Sequence, residues 1–187
     1  MKAGCAARWL RLRVFAANDA ANIAIEFALV APILVLLLMN ILDLSRLIWA
    51  RMEVDNAARM GAQAAFKSCS TGALPATTNC SSLTTAVTTA VQSTSLGTAV
   101  TVLPSGSPGF PTGNYSSGNP PEDYYCVSGT SLTWVAKYSS SPGTCSGGGT
   151  PGDYIEVDVC YSYSPVFSGL TLASSRTLTG TAITRLG

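Results

Sequence analysis

From Asn22 to Leu42 the chain is apolar almost without interruption, and a single carboxylate, Glu26, stands near the start of that run. Coiled as a helix, such a stretch is roughly 31 Å long and matches the hydrocarbon core of a bilayer. One crossing is expected. A secretory signal peptide is the rival reading, but its apolar core is shorter, about 7–15 residues, and ends in a small-residue cleavage site. Pro32 has no amide to offer the carbonyl of Ala28, so a kink or a loosened turn is expected there.

The helical pattern continues past the apolar run. Between Asp43 and Lys67 there is no proline, and Leu47, Val54, Ala58, Gly61 and Ala65 fall on one stripe. Arg51, Asp55 and Arg59 form an ion ladder on another face. Ala57, Gly61 and Ala65 repeat small residues every four positions, which allows close approach of a sheet, of a neighbouring subunit, or of the chain's own domain.

After Cys69 the texture changes to Ser, Thr, Gly and Pro. Ser82 is placed to cap a second helix running to about Ser95, with Leu83, Val87, Ala90 and Val91 on one side and Gly97 as its stop. Strands are expected over Ala99–Leu103, Tyr124–Ser128, Leu132–Tyr138, Tyr154–Tyr163 and Arg176–Leu186. The fourth is the clearest and should be central. Its alternation puts Ile155, Val157, Val159, Tyr161 and Tyr163 on the buried face, with Glu156, Asp158 and Cys160 on the other. The two acids could be a glycosidase pair, but no second acidic cluster supports such chemistry, and they read as the solvated side of a sheet. Two surface loops, Pro104–Glu122 and Ser139–Gly152, are dense in Gly, Pro and Ser. Gly147–Gly149 is followed by no Lys-Ser/Thr and is not a phosphate loop; Asn79 and Asn114 fit the common glycosylation pattern.

Composition narrows the classes of function. The chain has 187 residues, 47% hydrophobic and only 11% charged, enough for one anchor and one modest domain. A net charge of +1 supplies no field for nucleic acid. Histidine is absent, which removes His-based acid–base catalysis, a Ser-His-Asp triad and the commonest zinc ligand. No metal site and no cofactor are expected. A serine or threonine nucleophile would need a lysine base, and Lys137 is the sole lysine beyond Lys67. The chain reads as a non-enzyme.

Of six cysteines, Cys5 precedes the apolar run and five follow it. Cys69 with Cys80 and Cys126 with Cys145 can close two loops, leaving Cys160 as a free thiol or an intermolecular partner; other pairings among the five stay open. Disulfides require an oxidising compartment, so the C-terminal part lies outside and the N-terminus faces the cytoplasm. Charge alone is less decisive, because Lys2, Arg8, Arg11 and Arg13 before the run face Arg46, Arg51 and Arg59 after it.

At Ile25-Glu26-Phe27-Ala28-Leu29-Val30-Ala31-Pro32 and the leucine-rich run behind it, the chain resembles the TadE-like family of minor pilins or pseudopilins. The resemblance covers mainly Asn22 to Gly61. It implies an α+β, type IV pilin-like fold, with a long helical spine carrying a small antiparallel sheet head. It also implies a basic leader cut by a prepilin peptidase, here between Ala21 and Asn22. The position before the cut is Ala where the family usually has Gly. Glu26 would then sit at mature position five, where pilins place an acid that meets the N-terminal amine of a neighbouring subunit; Phe27 belongs to the same motif. Removal of residues 1–21 leaves seven basic and nine acidic residues, a charge of about −2.

The expected organisation is a leader over 1–21, a transmembrane helix over 22–42, an extracytoplasmic continuation over 43–67 and a disulfide-bearing α+β head over 68–187. The expected role is that of a membrane-anchored minor pilin or pseudopilin of a Tad (tight adherence) pilus, at the tip or in initiation, in the bacterial inner membrane. Its partners would be the prepilin peptidase, other Tad pilins, the inner-membrane assembly platform and lipid. The alternative is a tip adhesin whose head loops bind a surface ligand, with Tyr115, Tyr124, Tyr125 and Trp134 as candidate contacts.

Overall fold

The computed structural model describes residues 19–69, 74–103, 121–137 and 143–186. The leader up to residue 18 with Cys5, most of the loop before Glu122 with Asn114 and Tyr115, and Tyr138 with the start of the next loop lie outside the described residues. Among the described residues the elements are three helices, α1 (Asp19–Ser68), α2 (Ala76–Asn79) and α3 (Leu83–Gln92), a 3-10 turn at Gly97–Ala99, and five strands. The strands are β1 (Val100–Val102), β2 (Glu122–Ser128), β3 (Ser131–Lys137), β4 (Gly152–Tyr163) and β5 (Arg176–Arg185). This is an α+β arrangement of a long apolar N-terminal helix and a small antiparallel sheet. Two compact units divide it, Met1–Ser45 with Pro165–Ser174, and Arg46–Ser164 with Ser175–Gly187.

In the second unit β4 is interior. β5 pairs antiparallel along one edge from Tyr154↔Arg185 to Tyr163↔Arg176. The other edge is shared, β2 meeting it at Glu122↔Ile155 and β1 at Val102↔Val159. β3 completes a hairpin on β2. The register fixes one face of β4, and Ile155, Val157 and Val159 from it join Val54, Ala57, Ala58 and Ala65 of α1 and Val87 and Val91 of α3 in one core. Burying such side chains contributes about 1.5–3 kcal/mol each for the larger aliphatics.

Gly61 shows why the small-residue face is needed. A Cβ placed there would lie 2.8 Å from Val91 Cγ2 and 2.9 Å from Val157 Cγ1, so the face is filled by the chain's own α3 and β4. Gly180 on β5 is similarly close to the helix, with Val54 O 2.9 Å from where its Cβ would stand. Both valines facing Gly61 are fully buried and β-branched, and cannot easily turn aside. Gly61→Leu should therefore destabilise the head by about 3 kcal/mol or more, read as a lower denaturant midpoint. An unchanged midpoint would show that the helix does not pack there.

Ser82 precedes α3 but makes no side-chain capping bond, contrary to its expected role. Its backbone is already helical, at φ −87° and ψ −6°, and its carbonyl accepts the Ala86 amide at 2.9 Å, so the hydroxyl is not aimed at the next turn. Gly97 does end the helical region, adopting φ +58°. α2 follows Pro75, and Glu122 caps it from β2: the carboxylate accepts the amides of Ala76 and Thr77, each at 2.9 Å, and the Thr77 hydroxyl at 2.9 Å.

Candidate functional site

In the first unit, α1 is long and apolar enough to cross a membrane. Its side chains from Ile23 to Leu38 are exposed at every position except the half-buried Ala31. Phe27 is 72% exposed and Leu37 60%. A soluble protein would bury such a surface, whereas lipid or a neighbouring helix can cover it. Glu26 projects from this surface and is itself exposed, and the helix runs unbroken across Pro32. The backbone of Ala21 and Asn22 is already helical.

Near the end of the apolar run stands a polar pair. Asp43 is 0% exposed between Leu42 and Leu44, each more than half exposed. Its Oδ1 accepts the Val166 amide at 3.0 Å; its Oδ2 accepts the Phe167 amide at 3.2 Å and the Thr171 hydroxyl at 2.8 Å. One turn earlier, Asn40 donates to the Leu36 carbonyl at 2.8 Å and accepts the Leu172 amide at 2.9 Å. A charged acceptor with three donors is among the stronger hydrogen-bonded arrangements open to a side chain. Asn40 and Asp43 were not singled out from sequence; two polar residues three apart at the end of the apolar run were the available signal.

In the head, the acids of β4 overturn the expected wet face. Glu156 and Asp158 are buried, as is Asp123. β4 is paired on both edges, and Tyr125 reaches across from β2, donating its hydroxyl to Glu156 Oε2 at 3.0 Å. The alternation correctly grouped the residues by face but carried no information on what covers the second one. Burial, reinforced by Asp158, pushes the Glu156 carboxyl up to about 7, against the lowering effect of the Tyr125 hydrogen bond. Burial also raises Asp158, opposed by the hydroxyl of Thr181, which donates to its Oδ1.

Asp153 lies on the face of β4 that carries Ile155, beside Glu122. Burial, then the adjoining Glu122 carboxyl, pushes it up to about 8. As a carboxylate it would bury two oxygens with no donor; protonated, it can donate to Glu122. Among the described residues no group of His, Cys, Asp or Glu is arranged to hold a metal ion.

Disulfides join Cys69 to Cys80 and Cys126 to Cys145. Cys160 is free and half-buried, its sulfur 3.0 Å from the Thr101 hydroxyl. The second disulfide holds residues 144–150 over the β2–β3 hairpin and bounds an open cleft of about 730 Å³, with Tyr125, Tyr154 and Arg185 in its wall. Tyr125 and Tyr154 meet edge to face at 5.6 Å. Of the proposed aromatic contacts, Tyr125 is therefore engaged internally, and the indole nitrogen of Trp134 is buried.

No curated protein and no solved structure matches the chain. One family model does, that of the TadE-like protein, over residues 23–63. Those residues hold Glu26, Phe27, Pro32, Ala57, Gly61, Asn40 and Asp43, so the match covers the exposed apolar surface, its carboxylate and the first part of the packed stripe. Over residues 23–63, then, the chain is similar to the TadE-like protein family.

Proposed function

We propose that the protein is a minor pilin or pseudopilin of a Tad pilus, anchored in the bacterial inner membrane by residues 22–42 with its N-terminus in the cytoplasm and its head outside. The observation that carries this reading is the exposed apolar stretch from Ile23 to Leu38 bearing Glu26, inside the residues that match the TadE-like model. In this role a prepilin peptidase cuts between Ala21 and Asn22, and the freed amine of one subunit faces Glu26 of the next. The extracytoplasmic helix over 43–67 and the head over 68–187 then join the filament at its tip or start it, with other Tad pilins and the assembly platform as partners. The two disulfides support an oxidising compartment for the head.

Edman sequencing or intact mass of the protein from its native membrane tests the processing step. The expected mature start is Asn22; a start at Met1, or one beyond Leu42, would remove the pilin reading.

The cleft walled by Tyr125, Tyr154 and Arg185 supports a second reading, in which the head binds a surface ligand directly. Adhesion that is lost while filament number is unchanged, on altering the cleft, separates binding from assembly.

A further inference from the structure

We infer that the β4–β5 loop, Pro165–Ser174, is a second membrane contact, an apolar loop that Asp43 holds against the outer-leaflet interface. The inference rests on the reading that residues 22–42 cross the bilayer. Under that reading Leu42 ends the span, and Asp43 and Asn40 stand at the depth where hydrocarbon gives way to headgroups.

The loop is chemically suited to that depth. From Ser162 to Ser175 it contains no charged residue, and Arg176 follows directly. Val166 is 55% exposed, Leu170 59% and Leu172 95%, although each is a side chain that water disfavours. Neither is the loop's placement left to these side chains. The amides of Val166, Phe167 and Leu172 and the hydroxyl of Thr171 are taken by Asp43 and Asn40, and the Leu170 amide by the Phe167 carbonyl, so these polar groups, which lipid would penalise if left free, are satisfied within the first unit. Asp43, buried under the loop, keeps its charge away from hydrocarbon while orienting the aliphatic side chains outward. The loop is held beside the residues at which the spanning segment ends, and it carries no charge of its own. Lipid is the occupant the position favours, and a neighbouring subunit is the rival.

The test uses the full chain in vesicles of phosphatidylethanolamine and phosphatidylglycerol, with Cys5→Ser and Cys160→Ser to leave the disulfides as the only other cysteines. An NBD fluorophore is attached at Leu172→Cys, at Leu37→Cys in the span, or at Thr150→Cys on the exposed head loop, and nitroxide-labelled lipids serve as quenchers. At one protein per vesicle the Leu172 probe should show blue-shifted emission and strong quenching by a headgroup-proximal nitroxide. The Leu37 probe should be quenched best by a deep nitroxide, and the Thr150 probe by neither. Asp43→Ala should return the Leu172 probe towards the emission and weak quenching of the Thr150 probe.

A Leu172 probe that behaves like the Thr150 probe while Leu37 is quenched overturns the loop contact and leaves the spanning helix intact. An unquenched Leu37 probe removes the span and the loop contact together. Shielding of Leu172 that grows only with protein-to-lipid ratio assigns the loop to a subunit interface and overturns the lipid proposal. An Asp43→Ala protein with unaltered Leu172 depth denies Asp43 its positioning role.

Discussion

Glu26→Ala protein should accumulate in the membrane with both disulfides formed and a normally folded head, and should be missing from filaments. Glu26 is exposed on its helix, so far-ultraviolet circular dichroism and the thermal midpoint are expected to match the parent. The effect lies in assembly. A carboxylate within the spanning segment costs about 2.5–3.5 kcal/mol on insertion scales, so a retained one is tolerable where a partner offsets it. In the proposed filament that partner is the amine exposed at Asn22, charged at neutral pH because an α-amino group titrates near 7.7–8.0. Removing Glu26 leaves a neighbour's ammonium in lipid without a counter-charge, a loss of about 3–5 kcal/mol for a broken buried pair. At each contact this lowers incorporation by roughly a hundredfold to a few thousandfold. Quantitative immunoblotting of sheared filaments against membrane pools measures it, and parental incorporation of the Ala variant would remove Glu26 from the assembly mechanism.

Periodicity made the frame of this molecule legible. The apolar run, the stripe through Val54, Ala58, Gly61 and Ala65, and the alternation in β4 each follow a spacing that only one secondary structure satisfies. The stripe and the β4 positions form the core, the apolar run stays outside it, and β4 is interior as its pattern required. The disulfide-linked pairs were suggested by short loop lengths. What lay beyond reach were contacts set by the register of distant segments. Asp43 meets Val166, more than a hundred residues away, and Glu122 meets the turn at Ala76. Neither relation leaves a local signature, because a buried acid and a solvated one look alike in sequence until the elements around them are placed. By alternation alone Glu156 and Asp158 read as solvated for that reason.

Those buried acids give the head an unusual response to pH. Asp153 is pushed up to about 8 and Glu156 to about 7, while in the unfolded chain both should titrate near the ordinary carboxylate values of about 4. The folded head therefore holds these protons to higher pH than the unfolded chain does. Stability is fully present below about pH 4 with respect to these two groups, falls as pH rises through the interval, and levels once both folded groups have ionised, near pH 7 for Glu156 and pH 8 for Asp153. The slope is at most about 1.4 kcal/mol per pH unit for each group, reduced by water penetration and relaxation around the ionised form. The head should accordingly unfold several degrees lower at pH 9 than at pH 5, opposite to a protein held together by ionised carboxylates. Asp153→Asn isolates the larger contribution. Its amide can donate to Glu122 at any pH, as the protonated acid does only below about 8. The variant should match the parent at pH 5, exceed it at pH 9, and lose most of the decline between. Thermal melts of parent and variant across that range measure the difference, and parallel curves for the two would mean that Asp153 is ionised throughout and that the Glu122–Asp153 pair carries no shared proton.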